Sequence, residues 1–357
     1  MNSADAVDIS ELSVPDDLTH PGAKHFEEMV EVRNRVETEI LGTPALSHSA
    51  AELLPGFRNT YKPRRLFVAR SGGHMVARAI LSWRTAVMSP IATVNVEVQS
   101  DARGRGIGTA LLERMEALAR DLNLTTVQSS VVHSAVADGH RVEPPSGYGS
   151  LPGRDPGVRF LTRHGYALEQ IKRISFLDLP LPSRTLTAVL EDARIHTGST
   201  YSVVQWRGST PDHRVADLAV LKTSMSTEEP TAGMQTTEDP WDEHRVRRWD
   251  QDQEASGRLL LTTAIEDCRT GRLVALTEIS LPGHPGGAAA QEDTLVLPGH
   301  RGHRLGMLAK AANLQQLDAQ APQIYTFNAE ENRPMLSVNE ALGYRAAGYE
   351  GAWEKML

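Results

Sequence analysis

The chain has 357 residues against roughly 100–200 for a usual domain, and its 40% hydrophobic and 23% charged content excludes wholesale disorder, so two folded domains are expected. A formal charge of -8 disfavours a general nucleic-acid binder, and no apolar run approaches the roughly 20 residues of a bilayer span. The acidic N-terminus lacks the basic-then-apolar order of a secretory signal, and the lone Cys268 excludes an intramolecular disulfide or a Cys-rich zinc site, which predicts a soluble cytoplasmic protein.

Residues 1–20 read as a flexible, solvated acidic tail, and the first domain is expected over 21–180. Across 24–41, apolar Phe26, Met29, Val30, Val36, Ile40 and Leu41 recur at helical spacing. Two strand-like runs, 65–70 and 75–83, flank Ser71-Gly72-Gly73 and predict a hairpin, and 92–98 (ATVNVEV) is a further strand. The run Arg103-Gly104-Arg105-Gly106-Ile107-Gly108 then opens an amphipathic helix with Ile107, Leu111, Leu112, Met115 and Ala119 on one face. A strand over 127–132, a Pro/Gly-rich loop over 134–157, and a short helix, glycine turn and strand over 158–179 complete this half. Residues 181–200 read as a linker helix and 201–357 as the second domain.

The second half repeats the order. A strand at 203–206 and helices near 212–225 and 240–256 precede a hairpin over 259–267 and 272–281. Then Thr294–Leu297 leads into Arg301-Gly302-His303-Arg304-Leu305-Gly306 and a helix, followed by a strand at 324–327, a helix over 333–341 and Leu342-Gly343-Tyr344. RGRGIG at 103 corresponds to RGHRLG at 301, and His164-Gly165-Tyr166 to Leu342-Gly343-Tyr344. The longer spacing in the first half is accounted for by the inserted loop, so two copies of one unit are expected.

A strand, a glycine-rich turn and a helix N-terminus together make an anion site, to which Arg103 and Arg105 add positive charge. A dinucleotide fingerprint fails because Thr109 stands where its third glycine belongs, and the Gly-Lys-Ser/Thr of a triphosphate loop is missing. His133, His140, His300 and His303 lack the further ligands a metal site needs, so no metal is expected.

Arg103, Gly106 and Gly108, placed after a strand and before an amphipathic helix, resemble the phosphate loop of the GNAT superfamily of acyl-CoA-dependent N-acetyltransferases. The two Gly-Tyr turns are similar to the family pattern, and Asn332 matches its pantetheine-contacting asparagine. The resemblance implies an α/β fold of two tandem GNAT-type acyl-CoA-binding domains with acetyl-CoA as cosubstrate. In the second copy Arg304 replaces the middle glycine; in the first, Arg154 stands at the asparagine position; and Leu161 and Asn339 occupy the place of a tyrosine that many members use as general acid.

What the resemblance implies is acyl transfer from a CoA thioester to an amine, which must lose a proton to attack. The cofactor contacts it implies are Val96, Val98, Arg103, Gly104, Arg105, Gly106, Gly108 and Thr109 in the first half. In the second half they are Leu295, Val296, Arg301, Gly302, His303, Arg304, Leu305, Gly306 and Asn332. The backbone N–H of Val96 or Val98, or of Leu295 or Val296, would face the developing oxyanion. Base candidates are Glu97 and, in the second half, Asp293 with Glu292 beside it; Asn95 could only orient water, and ordinary strand-end acids are the alternative. Tyr344 and Tyr148 could donate a proton. The stretch Pro240–Trp249 (PWDEHRVRRW) could border an acceptor pocket or form a packing helix. Acyl-CoA contacts are expected in both halves, with the chemistry in the second because the inserted loop would cross the acceptor side of the first. The expected partner is a small-molecule amine, whose approach the acidic surface favours if it is cationic, and the chain is expected as a monomer or homodimer. A catalytically degenerate acyl-CoA-binding protein and a protein acetyltransferase are the competing readings.

Overall fold

A computed structural model describes residues 7–135, 139–284, 286–317 and 321–357, without the side chains of 183–185. The first half runs β1 (Val7–Glu11), α1 (Ala23–Leu41), α2 (Ala50–Phe57), β2 (Arg64–Ser71), β3 (His74–Trp83), β4 (Ile91–Val98), α3 (Ile107–Asp121) and β5 (Thr126–Ser134). It continues through the short β6 (Arg141–Val142) and β7 (Leu151–Pro152), α4 (Pro156–Arg163) and β8 (Ala167–Asp178). After α5 (Ser183–Thr197) come β9 (Tyr201–Arg207), α6 (Val215–Glu228), α7 (Glu243–Ala255), β10 (Leu259–Asp267), β11 (Arg272–Leu281), β12 (Ala289–Val296), α8 (Leu305–Leu314), β13 (Gln323–Ala329), α9 (Arg333–Leu342) and β14 (Arg345–Met356). Among the described residues no helix is long and apolar enough to cross a membrane.

One mixed sheet holds twelve of these strands in the order β1-β2-β3-β4-β5-β14-β8-β13-β12-β11-β10-β9. The two halves exchange their last strands: β14 lies between β5 and β8, and β8 pairs on its other side with β13. The boundary expected near 180 therefore separates the halves in sequence but not in the sheet. Apolar cores form under α3 (Leu111, Leu112, Met115 against Ala79, Leu81 and Trp353) and under α8 (Leu308, Ala309, Ala312 against Leu261, Ala275 and Ile279). Helix α1 covers the opposite face of the first half, burying Phe26, Met29 and Val30 against Leu66 and Val68.

The expectation of a solvated tail over 1–20 is corrected. Residues 1–6 lie outside the described residues, but β1 pairs antiparallel with β2 from Val7 opposite Ser71 to Glu11 opposite Phe67. Val7 and Ile9 alternate inward onto the first core, which offsets the acidic side chains on the outer face. The inserted loop is also more than a crossing: β6 pairs with β7, and Leu151 is fully buried in the first core.

Candidate functional site

Each half contains one pair of parallel neighbours that start together and then part. β4 and β5 pair at Ile91–Thr126, Ala92–Val127 and Thr93–Gln128, and β12 and β13 at Ala289–Ile324 and Ala290–Tyr325. Beyond Thr93 the β5-facing edge of β4 is without a strand partner, and the gap opens into a cleft of about 1410 Å³. Asn95, Val96, Glu97 and Val98 line it from β4, and Ser130, Val131 and Val132 from β5.

At one end the cleft meets the first glycine loop, where Arg103, Gly104, Gly106, Gly108 and Thr109 all line it. Gly106 is the N-cap of α3 at φ 81°, a left-handed conformation, and supplies no side-chain cap. The first-turn amides of α3 therefore have no intrahelical acceptor and present positive partial charge to the cleft. Space at Gly104 and Gly106 is open, since a Cβ at either would meet nothing within 4 Å. Gly108 serves close packing instead: a Cβ there would sit 3.3 Å from the Phe160 ring of α4. Arg103 Nε donates to the Val98 carbonyl at 2.9 Å, folding the loop back on the strand end, and Thr109 Oγ1 lies 3.1 Å from His164 Nε2. Arg159 and Arg163, one turn apart on α4, add two further cationic lining residues. Arg105 departs from the expected set: it lines a separate cavity of about 600 Å³ and its Nη2 donates to Ser71 Oγ at 3.3 Å.

The other end of the cleft carries carboxylates. Glu37 on α1 is bridged to Arg33 at 2.8 Å, and burial pushes its carboxyl up to about 7 against the pull of that guanidinium. Glu97 is differently placed. Burial alone would raise it, but Arg78, its cross-strand partner, binds it through Nε and through Nη2 at 2.9 Å and holds it below the ordinary carboxylate range. Glu97 is therefore engaged by Arg78 within the sheet. Asn95 Oδ1 is buried with no hydrogen-bond donor. Glu350, from the exchanged strand β14, also lines this end, and burial raises its carboxyl. The inserted loop contributes His140, Val142 and Gly153 as a wall of the cleft.

The second loop is built alike but engaged otherwise. Arg301 Nε donates to the Val296 carbonyl at 3.1 Å, as Arg103 does in the first half, and its Nη2 bridges Glu228 at 2.6 Å. Gly302 is left-handed at φ 86°, and Arg304, the N-cap of α8, adopts φ 55° without being glycine, at a cost of roughly 1–2 kcal/mol. Its guanidinium pairs with Asp192 of α5, and Thr197 Oγ1 of α5 donates to the His303 carbonyl at 3.3 Å. Helix α5 packs Leu190 and Ala193 into the core that holds Leu305 and Leu308 of α8 and Leu342 of α9, so it lies against the helices that flank this loop. The His303 ring packs at a tilt against Tyr201, centroids 5.6 Å apart. Gly306 has room for a side chain, with Val296 3.7 Å from an added Cβ.

The remaining second-half candidates also have other work. Asp293 accepts from Lys222 Nζ at 2.8 Å, and the same ammonium pairs with the fully buried Glu278. Burial opposes the charge on Lys222, but Asp293 and Glu278 outweigh it and keep the ammonium charged. The rings of Trp241 and Trp249 lie 5.8 and 5.3 Å from that nitrogen, so the aromatic stretch encloses a lysine of this chain. Leu295 is buried in an apolar cluster with Trp206, Leu218 and Leu276. Glu292 is pushed up to about 7 by burial. Tyr344 is 4% exposed within the second core, its hydroxyl without a partner and its ionisation disfavoured by burial, so it is an anchor for the core and not a proton donor at a cleft. Asn332 is the N-cap of α9, its Oδ1 accepting from Met335 N at 3.3 Å. In the first half Asp155 caps α4 in the same manner and also meets the buried His133 at 2.8 Å.

Glu37, Arg33, Arg78, Arg159, Arg163 and Glu350 are among the cleft residues that sequence reasoning missed. The i,i+4 spacing of Arg159 and Arg163 could have placed them on one helix face; nothing local marks Glu350, because its strand joins the other half.

The acetyltransferase (GNAT) family model matches residues 28–138, which span α1 to β5 and include the first loop. The fold is similar to that of a tandem GNAT protein from the clavulanic acid biosynthesis pathway, solved without acetyl-CoA, at 26% identity over 98% of both chains with a TM-score of 0.73. It is also similar to a GCN5-related N-acetyltransferase from Sphaerobacter thermophilus, at 12% identity over 98% of this chain and 95% of that one, with a TM-score of 0.62. No curated protein matches the chain. The first half thus carries a match to the acetyltransferase (GNAT) family, and the chain as a whole is similar in fold to a tandem GNAT protein.

Proposed function

We propose that the protein transfers an acetyl group from acetyl-CoA to the amine of a small molecule by direct attack in a ternary complex, in the cytoplasm, and that the first-half cleft is where this happens. The observation that carries the proposal is the continuity of that cleft. It joins the glycine loop at the α3 N-terminus to the carboxylate of Glu37 through the gap between β4 and β5.

The residues present fit acyl-CoA. Open backbone at Gly104 and Gly106, the α3 amides and the cationic Arg103, Arg159 and Arg163 would hold its phosphates. Bound acyl-CoA supplies a thioester carbonyl. The unpaired edge of β4 at Val96 or Val98 offers a backbone N–H to the oxygen on which negative charge develops. Glu37, with a carboxyl near 7, accepts the amine proton directly or through water held by Asn95. With its conjugate acid near 8.5, a thiolate can leave at neutral pH without a dedicated tyrosine.

The second half is assigned a structural role, supported by the α5 contacts to Arg304 and His303 and by the apolar filling around Leu295. The test is thiol release from acetyl-CoA over a panel of small amines. Amine-dependent turnover is expected, and a protein that binds acetyl-CoA yet acetylates no amine would point to the degenerate, binding-only reading.

A further inference from the structure

The carboxylate end of the cleft has more lining carboxylates than lining guanidiniums. Glu37, Glu97 and Glu350 line it together with two guanidiniums, Arg33 and Arg78. Each guanidinium is already taken. Arg33 bridges Glu37 at 2.8 Å and donates to the Leu46 carbonyl at 2.7 Å, while Arg78 binds Glu97 and reaches Met29 Sδ at 3.2 Å. Glu350 is the third carboxylate. Its cross-strand neighbour Lys172 lies on β8, but that ammonium is bonded to Glu229 at 3.2 Å. On its other side Glu350 faces Val132 of β5, and its one neutral hydrogen-bond partner is Ser130.

An independent feature of the same end is Asn95 Oδ1, a buried acceptor with no donor, which lines the cleft on β4. A carboxylate that shares the Lys172 ammonium with Glu229 and an acceptor without a donor both call for a ligand rich in N–H groups. The reacting amine accounts for one such group at Glu37. Resting on the transferase reading above, we propose that Glu350, carried into the first-half cleft by the exchanged C-terminal strand, binds a second cationic group of the acceptor, which is therefore a small dicationic amine. The second half thus supplies part of the first half's specificity.

The test uses the full chain saturated with CoA and titrated by calorimetry with 1,4-diaminobutane and with butylamine. The wild type should bind the diamine about tenfold more tightly, the size of one added charge-assisted contact. Glu350→Gln should bring the diamine down to the level of butylamine, raising KM for the diamine with little change in kcat. Equal affinity for the two amines in the wild type overturns the inference, and this arm does not depend on how the variant folds. A fall in kcat for both amines in Glu350→Gln also overturns it, because it would make Glu350 a base. Failure of the transferase reading is distinguishable: neither amine would be acetylated while the diamine preference in binding persisted.

Discussion

The same register position is filled in opposite ways in the two halves. On β3 and β4 the cross-strand pair is Arg78 and Glu97; on β11 and β12 it is Leu276 and Leu295. The first pair lines an open cleft, whereas the second is buried with Trp206, Leu218 and Leu221 beneath α6. The glycine loops differ in parallel: Gly106 opens α3 with bare backbone, and Arg304 at the matching N-cap of α8 is tied to Asp192. Duplication preserved the backbone of the unit, including the arginine folded onto the strand-end carbonyl, while side chains set what lies beside it.

The largest contrast is expected at the loops. Gly106→Glu puts a bulky negative charge in a left-handed position beside the α3 amides, and acetyl-CoA affinity should fall by more than about 100-fold. Arg304→Ala should leave that affinity within about twofold, and an equal loss in both variants would break the contrast. Next in size is Glu37→Gln, which should lower kcat by about 10²–10⁴-fold with acetyl-CoA binding retained. Because the carboxylate is the active form and its carboxyl titrates near 7, wild-type kcat/KM should rise with pH through that region, and the variant should lose this limb. An unchanged profile would move the base elsewhere.

In the second half the expected loss is of stability. Lys222→Met strands the fully buried Glu278, and urea denaturation should show a cost of about 3–5 kcal/mol. A neutral outcome would mean that this triad does not hold the second half together. The smallest effect is expected at the two helix starts. Gly108→Ala presses on Phe160 and should lower stability, while Gly306→Ala, with room beside Val296, should be neutral or raise it by up to about 1 kcal/mol in thermal unfolding.

Much of this was legible in the sequence for a physical reason. Period-two runs and Ser71-Gly72-Gly73 encode the β2–β3 hairpin locally, and the repeated loops with their following helices declare the duplication. Strand exchange is not encoded that way: β8 and β14 each read as a strand whichever neighbour they take, so the sharing of the sheet and the arrival of Glu350 in the first cleft are invisible. At β1 the acidic residues masked the inward Val7 and Ile9. The Gly-Tyr turns looked functional, yet Tyr166 and Tyr344 are both buried anchors, Tyr166 donating to Glu116 at 3.0 Å. Glu37 escaped notice because apolar spacing finds the buried face of α1 and gives no weight to a carboxylate at its border.

On the reading proposed above, one half binds acyl-CoA and the other frames it. Calorimetric titration of the full chain with acetyl-CoA tests this most directly. One site per chain is expected, lost in Gly106→Glu; two sites, or a single site that survives that substitution, would overturn the assignment.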